Sequence, residues 1–467
     1  MKVLQTVVPT AEQLRVIQDA KPGVTLIRGA AGSGKTTTAL IRLSFLAEFW
    51  RSRRRRVGSA DQVRILVLTY NKTLRGYIRE LADQQVKEGS DLNLTVSTFG
   101  RWARSLLRDD PLVNAQSRTS KLRALGAALP LEPAFVSDEA DYAVGRFRPE
   151  NIDEYLTCRR EQRGRAPRVD RSMREALLAE VVQPYELWKR SRGEVDWNDL
   201  AVALSRARLD RSYDVVVVDE AQDFSANEIR ALMNHVATDH TVTFILDAAQ
   251  RIYPRHFQWS EVGISIQPNH VFRLGNNYRN TKEIAAFAKA LIDGLELTDD
   301  GTMPDFESCI DHGPRPRVVI GTFGQQMSYL IDFIDRYVNL QTESVAFLHP
   351  LGGGWFDYTR ERLSAAGVGF VDMTGKADWP AGPTNVGLST LHSAKGLEFD
   401  HVFIVGLNKE TTPVGPGAED AQLDNLRRLL AMAAGRAKTT VIVSYKPTDV
   451  SDVVRFLDAS TYDLMTL

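Results

Sequence analysis

Short apolar runs recur along the first half of the chain, each ending in polar or glycine-rich residues. They are Val24-Thr25-Leu26-Ile27, then 63–69, Leu94-Thr95-Val96-Ser97-Thr98-Phe99, Val215-Val216-Val217-Val218 and 241–246. Four consecutive valines describe a strand buried on both faces, because a half-exposed strand would alternate with polar residues. Helical patterns follow the first two runs, over 37–48 and 74–80, so strand and helix alternate as they do around a parallel sheet. From 103 to 208 the pattern turns mostly helical, rich in Arg, Leu and Glu, with Asp196 placed to cap a helix in Val195-Asp196-Trp197-Asn198-Asp199-Leu200. Sheet-like runs return in Arg317-Val318-Val319-Ile320 and Val345-Ala346-Phe347-Leu348, with helices around 327–337 and 358–366. The predicted fold class is α/β with one mostly helical insertion. Residues 1–102 and 209–275 form the first core domain, 103–208 the insertion, and 276–467 the second core domain.

Two strand ends carry the candidate chemistry. The first apolar run leads into Gly29-Ala30-Ala31-Gly32-Ser33-Gly34-Lys35-Thr36, and Thr37 continues into the helix behind it. Glycines let successive N–H groups converge on phosphate oxygens, and the helix N-terminus adds partial positive charge. Lys35 is then placed for the β- and γ-phosphates of ATP, and the Thr36 hydroxyl for Mg²⁺. A plain glycine turn would not need the flanking strand and helix. The valine strand ends in Asp219-Glu220-Ala221-Gln222-Asp223, at the carboxyl edge where open α/β sheets place ligands. Asp219 suits Mg²⁺ and Glu220 the attacking water, while a capped helix is the plainer reading of the pair. Gln250, after the run 241–246, is placed to sense the γ-phosphate. Thr10 and Gln13 have the spacing of a capping box; alternatively the Gln13 amide grips the adenine edge.

A length of 467 residues is too great for one core, and 43% apolar with 25% charged residues is ordinary globular composition. The net charge of −1 gives no global attraction to nucleic acid, so binding would need local patches such as 51–56 or the scatter Arg159, Arg160, Arg163, Arg165, Arg168. Both are equally readable as solvated loops. Cys158 and Cys309 lack neighbours at ligand spacing, which excludes a cysteine-built metal site and fits a reducing compartment. No apolar run approaches a membrane span, so a cytoplasmic location without membrane contact is expected. Tyr70-Asn71, at a strand end opening a helix, offers a second anion site, and Thr98-Phe99 sets hydroxyls for phosphates beside rings for bases. Taken alone, Phe99 and Trp102 fit core packing better.

The order of these segments resembles the UvrD/Rep/PcrA-like branch of superfamily 1 DNA helicases. The resemblance rests on Gln13, the phosphate loop, Leu68-Thr69-Tyr70-Asn71-Lys72, Ser97-Thr98-Phe99, Asp219-Glu220-Ala221-Gln222-Asp223 and Asp247-Ala248-Ala249-Gln250. It continues through Leu274-Gly275-Asn276-Asn277-Tyr278-Arg279, Thr390-Leu391-His392-Ser393-Ala394-Lys395-Gly396-Leu397-Glu398-Phe399 and Arg427-Arg428-Leu429-Leu430 to Gly435-Arg436-Ala437-Lys438. It implies two RecA-like P-loop domains with ATP between them, Tyr278 stacked on adenine, Glu398 at the sugar, and Arg279 and Arg436 approaching the γ-phosphate. It also implies strand contacts at Tyr70, Asn71, Thr98, Phe99 and His392. The chain departs from the family where Arg255 stands in place of a stacking tryptophan, which passes that role to His256, Phe257, Trp259 or the Arg255 plane. Ala431 and Gly435 replace the usual Tyr and Thr before Arg436, and only about a hundred residues separate Arg279 from Thr390, too few for the family's second helical insertion. The resemblance implies a motor on single-stranded DNA moving 3′ to 5′. Two alternatives remain open. One is a DNA-end-stimulated ATPase subunit beside a nuclease, as in compact antiviral systems of the Gabija type, and the other is a nucleotide-switched DNA-binding module.

Overall fold

The computed structural model describes every residue outside 1–8, 30–32, 70–74, 77, 80–81, 83–90, 108–109, 160–168, 208–211, 247–256, 276–279, 296–308, 310, 375–379, 381 and 414–420. The apolar runs form strands of two sheets in which every ladder is parallel. The first contains β1 (Gly23–Gly29), β2 (Val63–Thr69), β3 (Leu92–Thr98), β4 (Tyr213–Val218), β5 (Val236–Leu246) and β6 (Val271–Leu274), in the order β3-β2-β4-β5-β1-β6. All six residues of β4 are buried, as its valine run requires. The second contains β7 (Arg317–Ile320), β8 (Val345–His349), β9 (Val371–Asp372), β10 (Val386–Thr390), β11 (Phe399–Ile404), β12 (Ala437–Tyr445) and β13 (Asp463–Thr466), ordered β13-β7-β12-β11-β8-β10-β9. The α/β class with two parallel sheets and a mostly helical insertion is therefore what the chain adopts.

Helices α1 (Ala11–Ile17) and α2 (Lys35–Arg56) flank β1. Between β3 and β4 lie α3 (Phe99–Leu106), α4 (Ala115–Gly126), α5 (Pro133–Arg146), α6 (Arg171–Leu177), α7 (Gln183–Arg192) and α8 (Trp197–Arg206). A π-helical turn, Leu178–Val182, joins α6 to α7 just before Pro184, whose ring cannot accommodate the carbonyl of an ordinary preceding turn. Residues of α4 to α7 share their own apolar core, centred on Tyr142, Tyr155 and Val181. The flanking helices pack elsewhere: Trp102 of α3 and Leu200 and Leu204 of α8 belong with the first sheet. The short turn Ala221–Asp223 follows β4, and the short turn Trp259–Val262 follows β5. Helix α9 (Ala226–Met233) covers one face of the first sheet, and α10 (Lys282–Ile292), α11 (Phe323–Tyr337), α12 (Asp357–Ala365) and α13 (Ala421–Ala434) attend the second. One buried cluster runs from Leu43 and Ile245 through Phe287 to Leu430 and Val443, so apolar packing is continuous between the two sheets. Among the described residues no helix is long and apolar enough to cross a membrane.

One charged side chain is built into this core. Arg42 of α2 is fully buried; its guanidinium donates to the Asp19 carbonyl at 2.7 and 3.1 Å, to Thr25 Oγ1 at 3.1 Å and to Thr243 Oγ1. Burial lowers its pKa to about 10, with Asp19 opposing the shift. The bonds tie α2 to β1 and β5 beneath the phosphate loop. Arg42→Met removes these donors and leaves buried oxygens unsatisfied, so it should reduce the unfolding free energy by about 3 kcal/mol or more. A urea titration of parent and variant measures this, and an unchanged midpoint would show that the buried guanidinium is dispensable.

Candidate functional site

The described ends of the phosphate loop are shaped by close backbone approach. A Cβ on Gly29 would lie 2.6 Å from both the Leu274 carbonyl oxygen and Ser33 Oγ. Gly34 caps α2 with φ +73°, and a Cβ there would meet Gln13 Nε2 at 2.6 Å. Only glycine fits that backbone without strain. Lys35 is buried and turns back to donate to the Gly29 carbonyl at 2.8 Å. Gln13 serves two structures at once. Its Oε1 accepts from the Thr10 N–H at 3.0 Å and its N–H donates to Thr10 Oγ1 at 3.3 Å, while Nε2 donates to the Ser33 carbonyl at 3.2 Å. The capping box is thus present, and the same amide holds the loop. Thr37 lies in the first turn of α2; Ala30, Ala31 and Gly32 lie outside the described residues.

Across the sheet edge, Thr36 Oγ1 donates to the Asp219 carboxylate, 3.1 Å from Oδ1 and 3.3 Å from Oδ2. Glu220 follows with φ +52°, the one non-glycine residue at positive φ among the described residues. That left-handed backbone is costly for a side chain with a Cβ, and it turns β4 sharply into the short turn Ala221–Asp223. Burial and the adjoining Glu220 push the Asp219 pKa up to about 7, against the hydroxyl of Thr36 and the charge of Lys35. Burial would raise Glu220 as well, but Lys395, Arg436 and Lys35 outweigh it and hold that carboxyl below its ordinary range.

Two of those cations come from the second sheet. Lys395, in the turn after β10, reaches across to Asp223 Oδ2 and lies 3.6 Å from Glu220 Oε2. Gln222 Nε2 also donates to Glu220. Arg436 is buried between α13 and β12, its Nε 3.2 Å from Met432 Sδ. Asn280 fixes the turn that carries it: its Nδ2 donates to the carbonyls of Gly435, at 3.1 Å, and Ala437. A cleft between two parallel sheets, with a phosphate loop and two carboxylates on one wall and cations on the other, can stabilise a transferring phosphoryl group. Residues 10–267 match the UvrD/REP helicase N-terminal domain, and residues 376–448 the UvrD-like helicase C-terminal domain.

The chain belongs to the UvrD/REP helicase family.

Among curated relatives of this family it is 23% identical to a "Probable DNA helicase II homolog" of Mycoplasma capricolum subsp. capricolum, over 60% of this chain and 40% of that protein. The chain therefore spans about two fifths of the length of that relative. It is also similar, at 20% identity and a TM-score of 0.30, to a solved C-terminal domain of a possible DNA helicase from Lactobacillus plantarum WCFS1, covering 40% of this chain and 98% of that one.

The residues expected at a DNA strand divide. Phe99 is 4% exposed and packs edge-on against Trp102 and Phe224, so the core-packing reading holds and its ring is not available to a base. A ring at a strand end reads the same in sequence whether it faces core or solvent. Thr98, just before α3, is half-buried and makes no capping bond. Phe257 and Trp259 are half-buried and meet edge-on at 5.7 Å, with Trp259 leaning on Phe244 of β5. His392 is exposed, and Glu398 is half-buried beside β11. Tyr70, Asn71, Gln250, Arg255, Tyr278 and Arg279 lie outside the described residues. Sequence reasoning gave no role to Lys395, Asn280 or Asp223. The signal for Lys395 was present, since it is the one Lys or Arg between Thr390 and Phe399.

The donor set fits a hard divalent cation. Asp219 is a carboxylate short of positive charge beside the Thr36 hydroxyl, and Mg²⁺ takes few protein oxygens, leaving the rest to phosphate and water. Among the described residues no cluster of three or more His, Cys, Asp or Glu offers a metal site of another kind.

The Lys395 bridge gives a pH signature. A carboxyl whose folded pKa is depressed, as Glu220's is, stabilises the fold above its unfolded value and loses that contribution as pH falls through the folded value. Lys395→Met removes the strongest of the attractive charges and leaves Glu220 and Asp223 buried beside each other. The variant should be less stable than the parent by about 3 kcal/mol near pH 8, with the gap narrowing as pH falls and closing only below the ordinary carboxylate range, where Glu220 takes up its proton in the parent too. Melting curves across that range check this, and a gap independent of pH would mean that Lys395 acts only by packing.

Proposed function

We propose that the chain is an ATP- and Mg²⁺-dependent motor that moves along single-stranded DNA in the 3′-to-5′ direction. The observation that carries this reading is the meeting of Thr36, Asp219 and Glu220 from the first sheet with Lys395 and Arg436 from the second. In the proposed mechanism Lys35 exchanges its bond to the Gly29 carbonyl for the β- and γ-phosphates. Asp219 and Thr36 hold Mg²⁺, which when bound neutralises charge on phosphate oxygens. Glu220, kept ionised by its cationic neighbours, orients the attacking water and accepts its proton. Arg436, with Arg279, approaches the γ-phosphate from the second sheet, so the cations reach the nucleotide in a geometry that depends on how the two sheets are set against each other. Closure and reopening with each turnover would move one domain against the other along a strand.

A second reading has its own motive. Among the described residues between Arg279 and Thr390, α10, β7, α11, β8, α12, β9 and β10 occupy the chain with core elements and no helical domain. A motor without that insertion suits a DNA-end-stimulated ATPase that works as a subunit beside a nuclease.

Steady-state ATP hydrolysis with no nucleic acid, single-stranded DNA, single-stranded RNA, and blunt or tailed duplex separates the two. Strong stimulation by single-stranded DNA supports the autonomous motor; stimulation by duplex ends alone supports the subunit. Lys35→Ala should abolish hydrolysis, and appreciable turnover in that variant would remove the phosphate-loop assignment. Arg436→Ala should leave ATP affinity nearly intact while cutting turnover by about 10³. Lost affinity with an unchanged rate would make Arg436 a structural residue instead.

A further inference from the structure

Away from the nucleotide cleft, a polar cavity of about 500 Å³ opens where the helical insertion meets α9 and the turn Trp259–Val262. Three arginines line it, Arg146, Arg148 and Arg230, together with Glu154 and Glu261. Arg146 is fully committed. It grips Glu261 with two bonds of 2.8 and 2.9 Å, donates to Tyr142 Oη and to the Arg159 carbonyl, and lies over the Phe147 ring. Glu261 is thereby neutralised. Arg230 spends Nη1 on the Arg146 carbonyl and Asn227 Oδ1, both at 2.8 Å, and Nη2 reaches the Glu261 carbonyl at 3.2 Å. Arg148 is the least satisfied: Nη2 makes one long bond of 3.4 Å to the Ser205 carbonyl, and Nε is buried with no partner among the described residues. A guanidinium carries five N–H donors, so Arg148 and Arg230, which both line the cavity, keep several unspent.

We propose that this cavity is an oxyanion site, in which Arg148 and Arg230 take one backbone phosphate of a DNA strand. Burial, and then repulsion from Arg148, disfavour the charge on Arg230, and Glu261 and Glu154 offset this only in part, so the pocket is short of negative charge. Glu154 is exposed and screened by water. The planar forks of two arginines match a phosphate group better than they match a point charge. Two observations favour DNA as its source. The turn Trp259–Val262, which pairs with Arg146 through Glu261, follows directly on Phe257, a candidate stacking ring. The sequence also carries four more arginines in the nine residues after Arg159, whose carbonyl accepts from Arg146. The proposal rests on the reading that the protein binds a DNA strand, and it says where one phosphate is held.

The test uses the full chain and a fluorescently labelled single-stranded oligonucleotide, titrated without nucleotide at several salt concentrations. R148Q should bind about tenfold more weakly, and the slope of log affinity against log salt should shrink by about 0.7, one phosphate's share on a single strand. R148K keeps the charge and loses the fork, so it should keep the slope and still bind more weakly than the parent. Parent-like affinity and slope in R148Q would overturn the proposal; should R148Q not fold, parent-like affinity in R148K would do so. In parallel, inorganic phosphate should raise the melting temperature of the parent by more than that of R148Q, which keeps the phosphate loop and loses only the cavity's fork. That result combined with unchanged strand affinity would overturn DNA as the source and leave a free-phosphate site. A parent that binds no strand would refute the motor reading, and equal phosphate stabilisation of parent and R148Q would then refute the cavity separately.

Discussion

Three carboxylates, Asp219, Glu220 and Asp223, stand within five residues and are all buried. Water cannot solvate them, so the fold must supply positive charge or protons, and much of the arrangement of the two sheets answers that demand. Lys35 comes from the first sheet's own helix. Lys395 and Arg436 are delivered by the second sheet. Such a charged cluster is unfavourable to assemble unless all partners are present, and each half of the molecule therefore completes the electrostatics of the other.

That dependence joins stability to chemistry. The cation nearest to Asp223 is also a neighbour of Glu220, so whatever draws Lys395 towards a phosphate changes the field at the proposed base. The left-handed backbone at Glu220 has the same logic. Glycine would relax the turn, but it would remove the carboxylate, so the chain retains a strained residue where its side chain is needed.

Much of this was readable beforehand, and the pattern of success follows from range. The valine strand, the phosphate loop and the acidic strand end are contiguous in sequence, and their local chemistry dictates their geometry. The α/β class followed from apolar runs alternating with helices. What escaped depends on contacts across the chain. Lys395 meets Asp223 over 172 positions, and Asn280 reaches the Gly435 carbonyl over 155. Neither separation names its partner in the sequence, although Lys395 stands out as the one Lys or Arg between Thr390 and Phe399. Phe99 and Gln13 show a different limit: a ring at a strand end, or an amide three residues after a threonine, is compatible with two roles, and only packing around it decides. For Gln13 the outcome is both the cap and a hold on the loop.

The strand order has a further consequence, for synthesis. Strand β1 comes first in the chain, yet its neighbours in the sheet are β5 and β6, which begin at Val236 and Val271. Strands β2 and β3 can pair as soon as they are made, but β4, which separates them from β5, follows the whole helical insertion. A ribosome therefore extrudes the phosphate-loop strand more than two hundred residues before any strand that will flank it. Throughout that interval the apolar stretch around Leu26 and Ile27 lacks the strands that flank it in the finished sheet, which lengthens the time in which it is open to pairing with a wrong partner.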